Sequence, residues 1–156
     1  MKTKHREDRR WRPLAASRHG GRLLDVARIL LLDDSPLVLD ATRAALEPAG
    51  HEVTCVEDPA AFFTALSATR PELALVDVSM PTLEGDAVVW IARAQQLQAC
   101  RIVLFSGKTE AELEALVHSS GADGFICKTD DAGLLRAQVA DFLSRTPVAP
   151  AGTAPG

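Results

Sequence analysis

Short apolar runs alternate with longer amphipathic segments along the middle of the chain. The apolar runs predict five strands, at 28–33, 52–56, 72–77, 101–105 and 123–127. After each run, apolar residues recur at helical spacing, which predicts helices over 36–49, 59–69, 86–96, 109–119 and 131–145. Pro36 stands in a predicted first turn, and Gly50 follows the end of that helix, as is typical of helix boundaries.

The predicted strands are apolar on both faces and are separated by helices, which indicates a parallel sheet covered on both sides. We therefore predict an α/β fold of the flavodoxin-like type, a three-layer α/β/α sandwich. Its five-stranded parallel sheet is expected to have the order 2-1-3-4-5, which is common for five such units. This order places the functional crevice at the carboxyl ends of strands 1, 3, 4 and 5.

Composition narrows the class of protein. The 156 residues suit one domain, and a content of 47% hydrophobic and 24% charged residues is typical of globular chains. No apolar run approaches the roughly 20 residues that a membrane helix needs, so no membrane partner is expected. The three cysteines have no metal-binding spacing and are expected to be reduced, which favours the cytoplasm.

Charge divides the chain unequally. Residues 1–28 carry a net charge of +6, whereas the remainder carries −10. We predict a basic, disordered arm at 1–26, a folded domain at 27–145 and a Pro/Ala-rich disordered tail at 146–156, with no output domain after it. The positive charge of the arm would by itself allow contact with nucleic acid or lipid. No other feature supports such contact, so nucleic acid is not an expected partner.

Polar side chains interrupt the apolar strands at one predicted edge. Asp33 and Asp34 end strand 1, Asp77 ends strand 3, Ser106 follows strand 4 and Lys128 follows strand 5. Two carboxylates about 4 Å apart repel by roughly 4 kcal/mol at an effective dielectric of 20. Three converging carboxylates therefore take up protons or hold a hard cation, and oxygen ligands beside a phosphate favour Mg²⁺. Together these groups predict a site for a phosphoryl group.

At this point the chain resembles a known family, the receiver domain of bacterial response regulators, which has the chemotaxis-regulator fold. The resemblance is carried by Gly85 and by the stretches 29–35, 75–81, 104–107 and 125–128, and it covers roughly three quarters of the chain. It implies a two-component signalling protein that is a phosphoacceptor with slow self-dephosphorylation, not a turnover enzyme, and with no output domain expected after the tail we predict a single-domain response regulator. It also implies that Asp77 accepts the phosphoryl group from a histidine kinase or a histidine phosphotransfer protein.

The resemblance assigns roles to the other positions. It implies that Asp33, Asp34, Asp77 and the backbone carbonyl of Ser79 hold Mg²⁺, and that Lys128 binds the phosphoryl oxygens. Ser106 would then bond the phosphoryl group, and Phe125 would move inward as a switch. That movement would alter the surface of helix 4, strand 5 and helix 5, through which the protein would contact an unknown downstream protein or a second copy of itself.

Three positions depart from the pattern or vary within it. The family usually has a cis proline after the lysine, whereas this chain has Thr129. A non-proline cis bond costs about 2.5–4 kcal/mol, so the Lys128–Thr129 bond is either trans or strained. Ser79 and Lys108 occupy positions that tune phosphoryl lifetime in the family. We hypothesise that Lys108 reaches toward the phosphoryl group and slows the attack of water.

Other interpretations stay open at this stage. Asp34 or Ser35 could simply cap the helix that opens at Pro36. Phe125 is equally expected as a core aromatic, and Trp90 is expected to pack. A pseudo-receiver that ignores phosphate, acting as a protein-interaction module, is the first alternative function. A flavin or nucleotide carrier would need a phosphate loop where Asp33 and Asp34 stand. A dehalogenase-type phosphatase would need an Asp-x-Asp pattern and a longer chain.

Overall fold

The structure is a computed structural model that describes residues 26–95 and 100–145. The strands are β1 (Arg28–Leu32), β2 (Glu52–Val56), β3 (Leu73–Asp77), β4 (Arg101–Ser106) and β5 (Gly124–Cys127). The helices are α1 (Pro36–Leu46), α2 (Pro59–Thr69), α3 (Gly85–Ala94), α4 (Glu110–Ser120) and α5 (Ala132–Ser144). The predicted arm, apart from its last residue, and the predicted tail lie outside the described residues, so those domain limits stay predictions.

The five strands form one parallel sheet with the order β2-β1-β3-β4-β5, which confirms the predicted topology. Alternate residues of each strand enter two separate apolar cores, one on each face. On one face, Leu31 and Leu75 pack with side chains of α1 and α5. On the other, Leu32 and Val76 pack with side chains of α2, α3 and α4. The molecule is therefore a three-layer α/β/α sandwich of the flavodoxin-like kind.

Local sequence explains where the helices begin. The Ser35 hydroxyl accepts a hydrogen bond from the Val38 N–H at the start of α1, and Asp58 and Asp131 cap α2 and α5 in the same way. Helix α1 ends at Leu46, earlier than predicted, and a 3₁₀ turn (Glu47–Ala49) follows it. Because the second residue of that turn is a proline, which has no N–H, the α-helical ladder cannot continue through it.

Two further expectations are tested by the surface of the molecule. Trp90 lies on the outer side of α3 with 62% of its surface exposed, so the prediction that it packs into the core was wrong. The two preceding residues, Val88 and Val89, are buried instead, because they lie on the side of α3 that faces the sheet. Among the described residues, no helix combines the length and the apolar character that crossing a membrane requires.

Candidate functional site

Three polar residues at the carboxyl edge of the sheet lie on the same face of the sheet as the apolar core formed with α1 and α5. Each stands two positions beyond a buried core residue: Asp33 after Leu31, Asp77 after Leu75, and Lys128 after Ile126. Because side chains alternate along a strand, a residue two positions on points to the same face of the sheet. The strand order and this alternation together bring the three side chains to one place, as the spacing along the sequence predicted.

Lys128 joins the two buried carboxylates. Its Nζ lies 2.7 Å from Asp33 Oδ2 and 3.2 Å from Asp77 Oδ1. Asp33 is 2% exposed and Asp77 is 4% exposed, whereas about a quarter of the Lys128 side chain reaches solvent. The second oxygen of Asp33 accepts a hydrogen bond from the Ser35 N–H at 2.9 Å. Both carboxylates are therefore held in fixed positions, with the ammonium between them.

Asp34 completes a cluster of three carboxylates. One oxygen from each of Asp33, Asp34 and Asp77 lies within 4.8 Å of the others. Asp34 is exposed, and the cap of α1 is supplied by the neighbouring Ser35. Of the two residues that could have capped α1, Ser35 does so and Asp34 does not; an Asp34 oxygen belongs to the cluster instead.

The charges of the cluster are only partly balanced. Burial raises the pKa of Asp77, and the nearby Asp33 carboxylate raises it further, although Lys128 and the Ser79 backbone N–H act in the opposite direction. Burial alone would lower the pKa of Lys128, but its hydrogen bond to Asp33 and the charge of Asp77 outweigh that effect and raise it. One ammonium therefore does not compensate the carboxylates around it.

This charge imbalance and the oxygen donors together fit a hard divalent cation. Three carboxylates converge on a partly open position, and Mg²⁺ prefers one or two carboxylates together with waters and phosphate oxygens. Burial is the main cause of the raised pKa of Asp77, and a divalent charge would offset both it and the repulsion from Asp33. Asp33, Asp34 and Asp77 would hold the ion.

A cleft of about 360 Å³ opens over the cluster and collects almost all of the predicted site residues. It is lined by Asp33, Asp34, Ser35, Asp77, Ser79, Ser106, Gly107, Lys108 and Lys128. Ser106 is buried, and its Oγ accepts a hydrogen bond from the Lys108 N–H at 3.2 Å. Lys108 also lines a neighbouring groove of about 620 Å³ between α4 and the β3–α3 loop. The side chains that the sequence singled out therefore share one concave surface.

Phe125 stands apart from the cleft. It is half-buried on the α3–α4 face of the sheet, where it packs against the second core and pairs in register with Leu104. Ser106 lies two residues beyond Leu104 and so belongs to the same face, but its own partner on β5 is Cys127. Phe125 therefore lies on the same face of the sheet as Ser106, but it is not among the residues that line the cleft over the carboxylates.

The loop after Lys128 has its own stabilisation. No peptide bond among the described residues is cis, so the Lys128–Thr129 bond is trans. The Lys128 N–H donates to the Ser106 carbonyl at 2.9 Å, which extends the pairing of β4 and β5 by one residue. The Thr129 hydroxyl accepts a hydrogen bond from the Asp131 N–H at 3.1 Å. Thr129 thus closes a tight turn that leads into α5.

Sequence reasoning missed one residue of the site. The ring of Phe105, on β4, lies under Lys128, with Nζ 5.6 Å from the ring centroid. Phe105 pairs in register with Ile126, and Lys128 lies two positions beyond Ile126 on the same face. This strand register could have indicated that Phe105 lies next to Lys128, but only once the pairing of β4 with β5 was known.

Comparison with known proteins gives the family. The sequence pattern described as the response regulator receiver domain matches residues 29–140, which is most of the chain. The chain belongs to this family. Receiver domains act in two-component signalling, so this protein contains a signalling domain of that kind.

Individual receiver proteins agree with this assignment. The DNA-binding response regulator MtrA of Mycolicibacterium smegmatis is 31% identical over 124 residues, which cover 80% of this chain and 54% of MtrA. The transcriptional regulatory protein CseB of Streptomyces coelicolor is 28% identical over 79% of this chain and 52% of CseB. The chain thus spans about half the length of these relatives.

Solved structures show the same fold. The chemotaxis response regulator CheY4 of Vibrio cholerae superposes with a TM-score of 0.69 at 24% identity, over 75% of this chain and 98% of CheY4. A CheY-like receiver domain protein from Methanospirillum hungatei JF-1 gives 0.67 at 25% identity, over 76% of this chain and 94% of that chain. Both confirm the receiver fold that the sequence predicted.

Proposed function

We propose that this receiver accepts a phosphoryl group on Asp77, with Mg²⁺ bound by Asp33, Asp34, Asp77 and the Ser79 backbone carbonyl. The donor would be the phosphohistidine of a histidine kinase or of a phosphotransfer protein. The observation that carries the proposal is the buried bridge from Lys128 to Asp33 and Asp77, with Asp34 beside it. A structural salt bridge would need one carboxylate, whereas a third carboxylate adds repulsion that a proton or a further cation would relieve.

The chemistry follows from what each side chain offers. A carboxylate oxygen of Asp77 attacks the phosphorus in line, a P–O bond forms, and the P–N bond of the donor breaks with its electron pair left on the imidazole nitrogen. Lys128 lies within reach of the phosphoryl oxygens and stabilises the charge that they carry. Mg²⁺, when bound, would supply further positive charge at the site. Asp33, from its buried place after β1, holds Lys128 in position and would also bind the ion.

Signalling would follow from a change of shape beside the site. The Ser106 hydroxyl would leave the Lys108 N–H, its present donor, to bond the phosphoryl group. Ser106 and Phe125 lie on the same face of the sheet, the one covered by α3 and α4. Movement of Ser106 would open space into which Phe125 would shift. The surface of α4, β5 and α5 would then bind a partner protein or a second copy of the chain.

Single-domain action and a cytoplasmic location are parts of this proposal. A receiver that acts as a single domain would signal through its affinity for other proteins or by passing the phosphoryl group on. Self-dephosphorylation would be slow, so the protein would act as a stoichiometric acceptor and not as a turnover enzyme.

The deciding experiment is intact-mass measurement after incubation with acetyl phosphate and Mg²⁺. The wild-type protein is expected to gain the mass of one phosphoryl group, and Asp77→Asn is expected to gain none. Asp58→Asn, which alters an exposed cap of α2 away from the site, is the matched control and should be phosphorylated. A wild-type protein that stays unmodified, and that also fails to bind beryllofluoride with Mg²⁺, would favour the pseudo-receiver.

A further inference from the structure

The phenyl ring of Phe105 forms the floor beneath the Lys128 ammonium. Phe105 is 5% exposed and belongs to the α1–α5 core, and in register it pairs with Asp77 on one side and Ile126 on the other. The Lys128 Nζ lies 5.6 Å from the ring centroid while it donates to Asp33 and Asp77. A cation within about 6 Å of a ring face is attracted by the quadrupole of the ring.

The ring differs from the other partners of Lys128 in one respect. Both carboxylates that hold the ammonium are also the groups that a divalent cation would take. Once a metal ion occupies their oxygens, the electrostatic hold of Asp33 and Asp77 on Lys128 weakens, because the negative charge is shared. A phenyl ring is not a ligand for a hard cation, so its attraction for the ammonium is unaffected.

Lys128 needs such support because of its own flexibility. A lysine side chain has four rotatable bonds, and part of this one is exposed to solvent. It emerges directly after the last residue of β5, where the Thr129 turn fixes the backbone but not the side chain. An ammonium freed from its carboxylates would therefore gain entropy by moving out into water.

We propose that Phe105 is a positioning residue that keeps the Lys128 ammonium inside the cleft after the carboxylates have been taken by a metal ion. The inference rests on the proposed function, since it concerns the same phosphoryl-accepting site. Phe105 offers no group that could transfer or accept a phosphoryl group, and its proposed effect is on the position of Lys128. A ring that merely filled the core would have no such effect on the lysine.

The test compares two buried phenylalanines of the same core. Phe105→Leu removes the ring face under Lys128. Phe142→Leu removes a ring with 6% exposure, which lies on α5 against Gly124 and Arg145. Both variants lose similar apolar area, so their losses of stability in urea should be comparable, and only the first should affect Lys128. Phe105→Met, whose unbranched and flexible side chain can fill the gap differently, is the second variant if Phe105→Leu does not fold.

The first measurement is the NMR shift of the Lys128 ε-methylene protons, with and without Mg²⁺. A ring face shields protons held above it, so the wild type and Phe142→Leu should show upfield shifts in both conditions. Phe105→Leu should lose the upfield shift. An unshifted Lys128 in wild-type protein with Mg²⁺ would overturn the inference, and this readout needs no phosphorylation.

The second measurement is the initial rate of phosphorylation by acetyl phosphate. Phe105→Leu should be about threefold to tenfold slower at saturating Mg²⁺, the range that a single cation–ring contact supports. Phe142→Leu should remain close to wild type. Equal slowing of both variants would show that the ring acts only through packing. If wild-type protein accepts no phosphoryl group, the proposed function fails, while the NMR result still decides the role of Phe105.

Discussion

At the scale of single residues, the proposed chemistry depends on the protonation state of Asp77. Its carboxylate is buried close to that of Asp33, and burial together with this neighbour raises its pKa. Folding therefore shifts Asp77 toward its protonated form, whereas the proposed attack on phosphorus would require the ionised form. A cation bound by the cluster would favour the ionised form, and in its absence the ionised carboxylate reduces the stability of the fold.

Asp77→Asn should therefore stabilise the metal-free protein, by on the order of 1 kcal/mol. The amide removes carboxylate repulsion and a buried charge, while Lys128 keeps its shorter hydrogen bond to Asp33. The folded-state pKa of Asp77 lies above its unfolded-state value. Wild-type stability therefore falls as pH rises from the unfolded-state pKa to the folded-state pKa. The gain from Asp77→Asn is complete above the folded-state pKa of Asp77 and vanishes as pH falls below the unfolded-state value.

The measurement is urea unfolding in EDTA across acidic and neutral pH. Asp34→Asn is the control, because Asp34 belongs to the same cluster but is exposed, and it should give a smaller gain. A neutral-pH stability of Asp77→Asn equal to or below that of wild type would show that the Lys128 bridge already balances the cluster.

Lys108 is a residue-scale candidate for control of phosphoryl lifetime. Its exposed side chain borders the cleft, and its N–H is bonded to the Ser106 hydroxyl. We expect Lys108→Ala to lose its phosphoryl group severalfold faster, because a nearby ammonium both attracts the phosphoryl oxygens and obstructs water. Lys108→Arg should retain a slow rate. Decay of radiolabelled phosphoprotein measures this, and an unchanged rate in Lys108→Ala would end the hypothesis.

At the scale of elements, Gly85, the first residue of α3, packs directly against the backbone at the end of β3, the strand that carries Asp77. The Gly85 N–H donates to the Val78 carbonyl at 3.0 Å. A Cβ on Gly85 would stand 2.0 Å from the Asp77 carbonyl oxygen and 2.9 Å from the Val78 Cα. Only a glycine allows α3 to begin in direct contact with the backbone that carries Asp77.

Gly85→Ala should consequently destabilise the protein by about 1–3 kcal/mol, the usual effect of overpacking, since the clash is with backbone. It should also displace Asp77 and weaken Mg²⁺ binding. Gly107→Ala is the control, because a Cβ there meets no atom within 4 Å. Urea unfolding and Mg²⁺ titration measure the two effects, and a Gly85→Ala protein as stable as Gly107→Ala would contradict the packing argument.

The sequence was sufficient for the elements and for most of the site. Apolar strands and helical spacing are local signals, and the order of parallel strands then brings Asp33, Asp77 and Lys128 to one edge. The contact of Phe105 with Lys128 and the close approach of Gly85 to Asp77 could not be predicted in this way. Both depend on the register and the distance between separate elements, which packing determines and local pattern does not.

At the scale of the whole molecule, the carboxylate cluster connects strands that are distant in the chain. Asp33 and Asp34 follow β1, Asp77 ends β3, and Lys128 follows β5 at the far side of the sheet. These elements are brought together only in the folded state. A cation bound by the three carboxylates would therefore bind the native protein and not the unfolded chain, and its binding would stabilise the entire fold.

The apparent free energy of unfolding should thus increase with Mg²⁺ concentration. Above the dissociation constant, each tenfold increase should add about 1.4 kcal/mol, because ligand binding is linked only to the native state. Asp34→Asn should shift this dependence to higher Mg²⁺, whereas Asp40→Asn, an exposed carboxylate on α1 outside the cleft, should not. Thermal unfolding at constant ionic strength measures the effect. Equal stabilisation by sodium chloride would mean that salt merely screens the carboxylates, and the cluster would then bind no specific cation.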